Sequence, residues 1–496
     1  MKLFKKIAGF ILAFAMILAI AMPSVVMAAD TTYKLTLQNT VEGHTYEVYQ
    51  VFSGTLSTKN NKKVLSDLKW GSGVKADAYT ETAKAKAETL TDETTARAFA
   101  KELVNQKKLS AATKTVQSTT GTTEIAGLAA GYYLVKDTDS SLANKNDSYT
   151  AYILQVVGDA TTSVKSDVPS SEKKVKDIND STDTETTEWQ DAADWDIGDE
   201  VPFKIEGTLP SNYDKYKKYT LKFHDKEEEG LTFKSETVKV FIDNTEITEG
   251  FRVVVNPEDN DTFDVVFDNL KTTSAKNNSV IRVEYKSVLN EKANLGKPGN
   301  KNTMYMEFSN NPNNEQGGEF GKTPDDTVIV FTYKVDVNKV DEQGNKLTGA
   351  EFTLEKKIKG TKDTWKAITK VSRTAGDVFE FKGIDDGEYR LTETRAPANY
   401  DKLSDPIYFT VTAGHVDGAN PYLDTFSGNI TSGNVGTMTF TANKDSGILS
   451  TKVVNKPGSS LPETGGMGTT ILYVAGAVMI LAAGAFLVMQ KKAEDK

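Results

Sequence analysis

Tyr333-Lys334-Val335-Asp336-Val337-Asn338-Lys339-Val340 alternates apolar and polar side chains, and that alternation decides the fold. In an extended strand successive side chains point to opposite faces, so Tyr333, Val335, Val337 and Lys339 share one face. Tyr389, Leu391 and Glu393 share a face in the same way, as do Val453 and Asn455. Each apolar stripe therefore ends in a polar group, at a place where an unpaired charge is costly. One explanation is a buried Lys-Glu ion pair with an Asn partner, or strand ends that emerge into water. The other is covalent. Desolvation favours a neutral amine and a neutral acid. The amine of Lys339 would then add to the Asn455 carboxamide, with Glu393 moving protons and ammonia leaving.

The same kind of strand recurs through the chain. Tyr33-Lys34-Leu35-Thr36-Leu37, Tyr46 to Phe52 and Val201-Pro202-Phe203-Lys204-Ile205 are short runs separated by turn signals, a pattern expected of stacked β-sandwiches. A different period appears after Thr91-Asp92, where Ala96, Phe99, Ala100 and Leu103 fall at helical spacing, so a capped helix is expected as an insertion in the first domain. The polar stretch Thr161 to Ser171 and the Asn- and Gly-rich stretch Asn310 to Gly321 read as boundaries. They give domains at 29–167, 168–326 and 327–458. An all-β chain of tandem immunoglobulin-like sandwiches is the expected architecture.

The 496 residues include no cysteine and three histidines, with 59 basic against 69 acidic side chains and a net charge of −10. Disulfides, zinc-thiolate sites and thiol nucleophiles are excluded. A nucleic-acid binder is not expected, because phosphate contact needs a clustered cationic surface. Neither a metal site nor a cofactor is expected.

Both ends define a compartment. Lys2, Lys5 and Lys6 precede an apolar run from Ile7 to Met22 and small residues around Ala28-Ala29, so residues 1–28 read as a secretory signal peptide. At the other end, in residues 459–496, Leu461-Pro462-Glu463-Thr464-Gly465 precedes the apolar run Ile471 to Met489 and the basic Lys491-Lys492. The run is long enough to span a bilayer, with the lysines left in the cytoplasm. Pentapeptide, span and basic tail in that order resemble the cell-wall sorting signal of Gram-positive surface proteins. The resemblance implies that a sortase cuts between Thr464 and Gly465 and passes the chain to an amine. The span would then tether the chain to the membrane only transiently.

Tyr389-Arg-Leu-Thr-Glu393-Thr-Arg-Ala-Pro397-Ala-Asn-Tyr400 resembles the E-box of Gram-positive pilins and Cna B-type domains, with Asn399 in place of the usual glycine. That resemblance implies an isopeptide bond from Lys339 to Asn455, with Glu393 as proton shuttle. Residues 168–326 look like the larger Cna A-like middle domain of backbone pilins, which implies the trio Lys173, Asp225 and Asn290. Lys174 is adjacent, so the choice between the two lysines stays open. In the first domain Leu128 to Val135 resembles the corresponding pilin strand, but Lys136 and Asp137 stand where a shuttle glutamate is expected, and no cross-link is predicted there.

The whole chain thus resembles a major backbone pilin. The resemblance implies a shaft subunit of a secreted, wall-anchored surface pilus and not an enzyme. Lys165, in Ser163-Val164-Lys165-Ser166, lies where the polymerisation lysine of such subunits is expected, with Lys136 and Lys145 as alternatives. The implied partners are pilus-specific and housekeeping sortases, further copies of the chain, minor pilins, peptidoglycan and host surface ligands. A monomeric wall-anchored adhesin and a minor tip or base pilin are the rival readings.

Overall fold

The computed structural model describes residues 31–494, apart from 60–61, 144, 165–166, 183, 186–187, 361, 363, 369–370, 375–377, 434–437 and 459–466. Three sandwiches follow one another. In the first, strands Tyr33–Thr40, Gly121–Leu128 and Ala160–Ser163 form one sheet, and Thr45–Lys59, Lys62–Trp70, Lys114–Gln117, Gly131–Asp137 and Ala151–Val156 form the other. The expected helical insertion is present as Ala83–Glu88 and Glu93–Asn105. The longer helix starts at a capping box. The Asp92 side chain accepts from the Thr95 backbone N–H at 2.8 Å, and the Thr95 hydroxyl accepts from that of Asp92 at 3.1 Å. Ala96, Phe99, Ala100 and Leu103 are buried, as their spacing predicts.

In the middle domain a five-stranded sheet, which includes Ser170–Val175, Glu200–Thr208 and Val280–Leu289, faces a seven-stranded one that includes Leu221–Glu227, Phe263–Phe267 and Asn300–Ser309. In the third domain the first strand, Tyr333–Val340, and the last, Ile448–Val454, are parallel neighbours with Lys339 opposite Val453. The strand Gly387–Arg395 lies in the facing sheet.

The sequence-based boundary at 326 moves. Strand Asp326–Phe331 pairs with Asn300–Met304 inside the middle sheet, so the third domain begins near Thr332. The reason is alternation shared between two cores: Val328 and Val330 fill the middle core, whereas Ile329 and Phe331 fill the third. Ala193 and Ala192 divide in the same way on the neighbouring strand. The two domains therefore meet through shared strands and not through a free linker.

That junction also buries charge. Lys356 is wholly buried against Asp385, with Asp196 and Asp180 carboxylates each 3.2 Å from its Nζ. Burial works against its ammonium, but the three carboxylates outweigh burial and raise its pKa. Asp177 nearby is pushed up to about 7, by burial first and by the Asp386 charge second.

Candidate functional site

In the third domain Lys339, Glu393 and Asn455 come together as the sequence predicts, at 0%, 2% and 1% exposure. The Lys339 ammonium donates to Asn455 Oδ1, and to the Val453 carbonyl at 3.0 Å. Glu393 reaches across from the facing sheet. Its Oε1 lies 3.6 Å from Lys339 Nζ, and both its oxygens accept from Asn455 Nδ2 at 3.1 Å. One carboxyl thus touches both nitrogens that a condensation would exchange. Burial pulls the Lys339 pKa down to about 8, against the opposing pull of Glu393, so part of the amine is uncharged near neutral pH.

The end of the E-box-like stretch fixes Asn455. Asn399 adopts a left-handed φ of 68°, which asparagine tolerates. The turn carries Tyr400 into a bridge with Pro457, Asp401 N–H donates to the Lys456 carbonyl at 2.9 Å, and the Asp401 carbonyl accepts from Asn455 Nδ2 at 2.9 Å. Leu403 N–H holds Glu393 Oε2 at 2.9 Å. A cleft of about 910 Å³, lined in part by Asp401, Leu403, Val453 and Asn455, opens beside the trio.

In the middle domain two of the three expected residues come together and the third lies elsewhere. Lys173 is wholly buried and donates to Asp225, also wholly buried, and to the Tyr285 hydroxyl at 2.6 Å. Lys174 instead pairs with Asp191 at 2.6 Å, away from Asp225. Burial lowers the Lys173 pKa and raises that of Asp225. Asn290 is not part of this group. It sits in the turn after its strand, where its Nδ2 donates to the Glu229 carbonyl at 2.8 Å and to the Thr232 hydroxyl at 2.9 Å. The asparagine in the site is Asn302. It is wholly buried, its Nδ2 donates to the Tyr285 hydroxyl at 2.9 Å, and its Oδ1 has no hydrogen-bond partner. The strand that carries it held a legible signal. Asn300, Asn302, Met304, Met306 and Phe308 share one face, so two asparagines end an apolar stripe.

In the first domain Lys136 is buried, 3.0 Å from Glu47 and 2.9 Å from Asp139. It is therefore a poor acceptor amine. Lys145 is exposed and donates to the Gly43 carbonyl at 3.1 Å. Asp137 holds His44 Nδ1 at 2.8 Å, and Asp147 holds its Nε2 at 2.7 Å. Burial opposes the imidazolium, but these two hydrogen bonds outweigh it and push its pKa up to about 9. Lys165 and the stretch Leu461, Pro462, Glu463, Thr464 and Gly465 lie outside the described residues. Beyond them, Met467–Glu494 is a single helix whose stretch Thr470–Ala493 is long and apolar enough to cross a membrane.

Residues 333–421 match the SpaA family model, a prealbumin-like fold domain, and residues 453–496 match the LPXTG cell wall anchor motif. The trypsin-resistant surface T6 protein of Streptococcus pyogenes serotype M6 is 26% identical over 436 residues, 74% of this chain and 75% of that protein. The chain has the plan of a sortase-assembled backbone pilin. Its anchor motif places it on the cell wall.

Solved structures share the three-domain fold of this pilin-like chain. The T6 backbone pilin of serotype M6 S. pyogenes, described as a modular three-domain structure, superposes with a TM-score of 0.59 at 21% identity, covering 88% of this chain and 100% of that one. The full-length major pilin SpaD from Corynebacterium diphtheriae gives 0.50 at 17% identity, over 87% and 99%.

Proposed function

We propose that this chain is the repeating shaft subunit of a covalent surface pilus, and that it welds two of its own domains shut before it is polymerised. The observation that carries the reading is the dry Lys339–Glu393–Asn455 trio between the first and last strands of the third domain. Glu393 accepts a proton from the Lys339 ammonium. The free amine attacks Asn455 Cγ, the proton passes on to Nδ2, and ammonia leaves. Lys173, Asp225 and Asn302 do the same work in the middle domain, with Asn302 in place of Asn290.

A lateral weld suits tension. Force entering at one end of a sandwich and leaving at the other passes through the first and last strands. In the third domain an amide between them carries it through covalent bonds and spares the sheet. Sortase would join Thr464 of one copy to Lys165 of the next. The strand Ala160–Ser163, paired in parallel with Leu35–Gln38, anchors the chain just before that lysine. A head-to-tail joint of this kind does not close, so it yields a filament. The role is structural: each Lys-Asn reaction happens once, on the chain that performs it.

The polymer is tested in cells that carry the matching sortases. Wall extracts boiled in detergent should give a ladder of multimers, and Lys165→Ala should collapse it to one band. A single band from the wild-type chain would favour a monomeric wall-anchored adhesin, and a ladder that survives Lys165→Ala would move the joint to another amine such as Lys145.

A further inference from the structure

The middle domain holds a second acid, half-buried with its Oε2 out of water, that the Lys173–Asp225–Asn302 scheme leaves idle. Leu221, Phe223, Asp225 and Glu227 share one strand face, so two carboxyls end the same apolar stripe. Glu227 stands directly opposite Asn302 in the ladder, and Asn302 Nδ2 donates to its Oε1 at 3.3 Å. The Ser287 hydroxyl donates to the same oxygen. Asp225 touches only the other side of the site: its Oδ2 accepts from Lys173 and, at 2.9 Å, from the Tyr285 hydroxyl. In the third domain Glu393 alone reaches both nitrogens. Here the two contacts are divided between two acids.

Three buried oxygens in this group have no hydrogen-bond partner: Asp225 Oδ1, Glu227 Oε2 and Asn302 Oδ1. Three acceptors without a donor are costly in a dry site unless a carboxyl there carries a proton. Two neighbouring carboxyls do not readily ionise together. Asp225 has the Lys173 ammonium beside it, so the proton belongs on Glu227. Its pKa is pushed up to about 8, by burial first and by the Asp225 charge second.

We infer that Glu227 is the general acid of the middle-domain condensation, delivering the proton that releases Asn302 Nδ2 as ammonia while Asp225 takes the proton from Lys173. The inference deepens the cross-link proposed above and rests on it. The protons balance. Lys173 gives one of its three to Asp225, and the free amine attacks Asn302 Cγ. Glu227 then gives its proton to Nδ2, the C–N bond to that nitrogen breaks, and ammonia departs. The second proton of the attacking nitrogen passes through the Tyr285 hydroxyl, which is hydrogen-bonded to both nitrogens, at 2.6 Å to Lys173 Nζ and 2.9 Å to Asn302 Nδ2, to the departing ammonia, which leaves as ammonium. The third proton stays on the new amide, and no oxidant or co-reactant is needed.

The test follows ammonia loss by intact-mass spectrometry in the ectodomain, residues 31–458, which contains all four hydrophobic cores. The wild-type chain is measured first and should lack two ammonias. A wild-type chain with a free Lys173 amine would overturn the cross-link itself and the assignment with it. Glu227→Gln keeps the shape and removes the acid. It should lack one ammonia when purified and lose the second at least ~10²-fold more slowly than wild type. Glu227→Asp keeps an acid at the same place in the ladder and should complete both bonds. Loss of both ammonias by Glu227→Gln at the wild-type rate would overturn the assignment. Equal failure of Glu227→Gln and Glu227→Asp would overturn it too, because Glu227 would then matter for packing alone.

Discussion

Replacing Glu393 by glutamine changes one atom and should undo the third-domain weld. The glutamine side chain would retain an oxygen for the Leu403 N–H, but it has no proton to lend and cannot take one from Lys339. Lys339 and Asn455 are 116 residues apart, so their bond closes nearly the whole domain into one loop. In the chain-entropy treatment of cross-links such a loop is worth about 5 kcal/mol at 25 °C. A domain of roughly 125 residues gains about 0.26 kcal/mol/K of entropy on unfolding, so losing the bond should lower the third-domain Tm by ~15–20 °C. The buried Lys339 also loses its nearest carboxylate, which adds to the drop. Intact mass would show one ammonia restored, and calorimetry on the same sample would show the third-domain transition shifted while the middle-domain transition stays. A Glu393→Gln chain that still lacks two ammonias would refute Glu393 as the shuttle. A chain with the ammonia restored and a Tm within about 3 °C of wild type would refute the loop-closure account of its worth.

Asn302→Ala should restore one ammonia to the ectodomain mass, whereas Asn290→Ala should restore none, and peptide mapping of the two variants reads the difference directly. The His44 pKa is raised to about 9 in the folded chain, so the stability it lends the first domain is complete below about pH 6.5 and fades as pH rises through 9. That change should amount to about 3 kcal/mol in denaturant unfolding of the first domain, with a flat profile over the same range for His44→Gln. Lys356→Met would leave Asp385, Asp196 and Asp180 without their shared cation. It should cost ~3–5 kcal/mol at pH 7.5 in urea unfolding, and less at lower pH as the freed carboxylates take up protons. A loss below 1 kcal/mol would mean the junction does not depend on that lysine.

The sandwiches and the third-domain trio were legible because they depend on one rule, the period of two in a strand. Lys339, Glu393 and Asn455 each end an apolar stripe, and the sheets bring the three ends to one point. The same rule applied to the strand Asn300–Ser309 points to two asparagines, Asn300 and Asn302, and the structure brings Asn302 to the Tyr285 hydroxyl. Asn290 came from the resemblance to a Cna A-like domain and ends no apolar stripe of its own strand. Lys356 shows where the rule stops. It ends a stripe with Phe352 and Leu354, as a welded lysine would, yet its partners are aspartates supplied largely by the neighbouring domain. Polarity at the end of a stripe signals a buried charge. Which chemistry compensates it depends on contacts between strands far apart in the chain, and the local pattern does not encode them. The boundary near Thr332 was hidden for a related reason, since Asp326–Phe331 alternates between two cores and reads as the start of one.

The proposed cross-links consume two lysine amines in the folded protein. Tandem mass spectrometry of a tryptic digest of wild-type protein tests this most directly. Two branched peptides are expected, one joining Lys339 to Asn455 and one joining Lys173 to Asn302. Linear peptides throughout, with both amines free and cleavable by trypsin, would contradict that expectation.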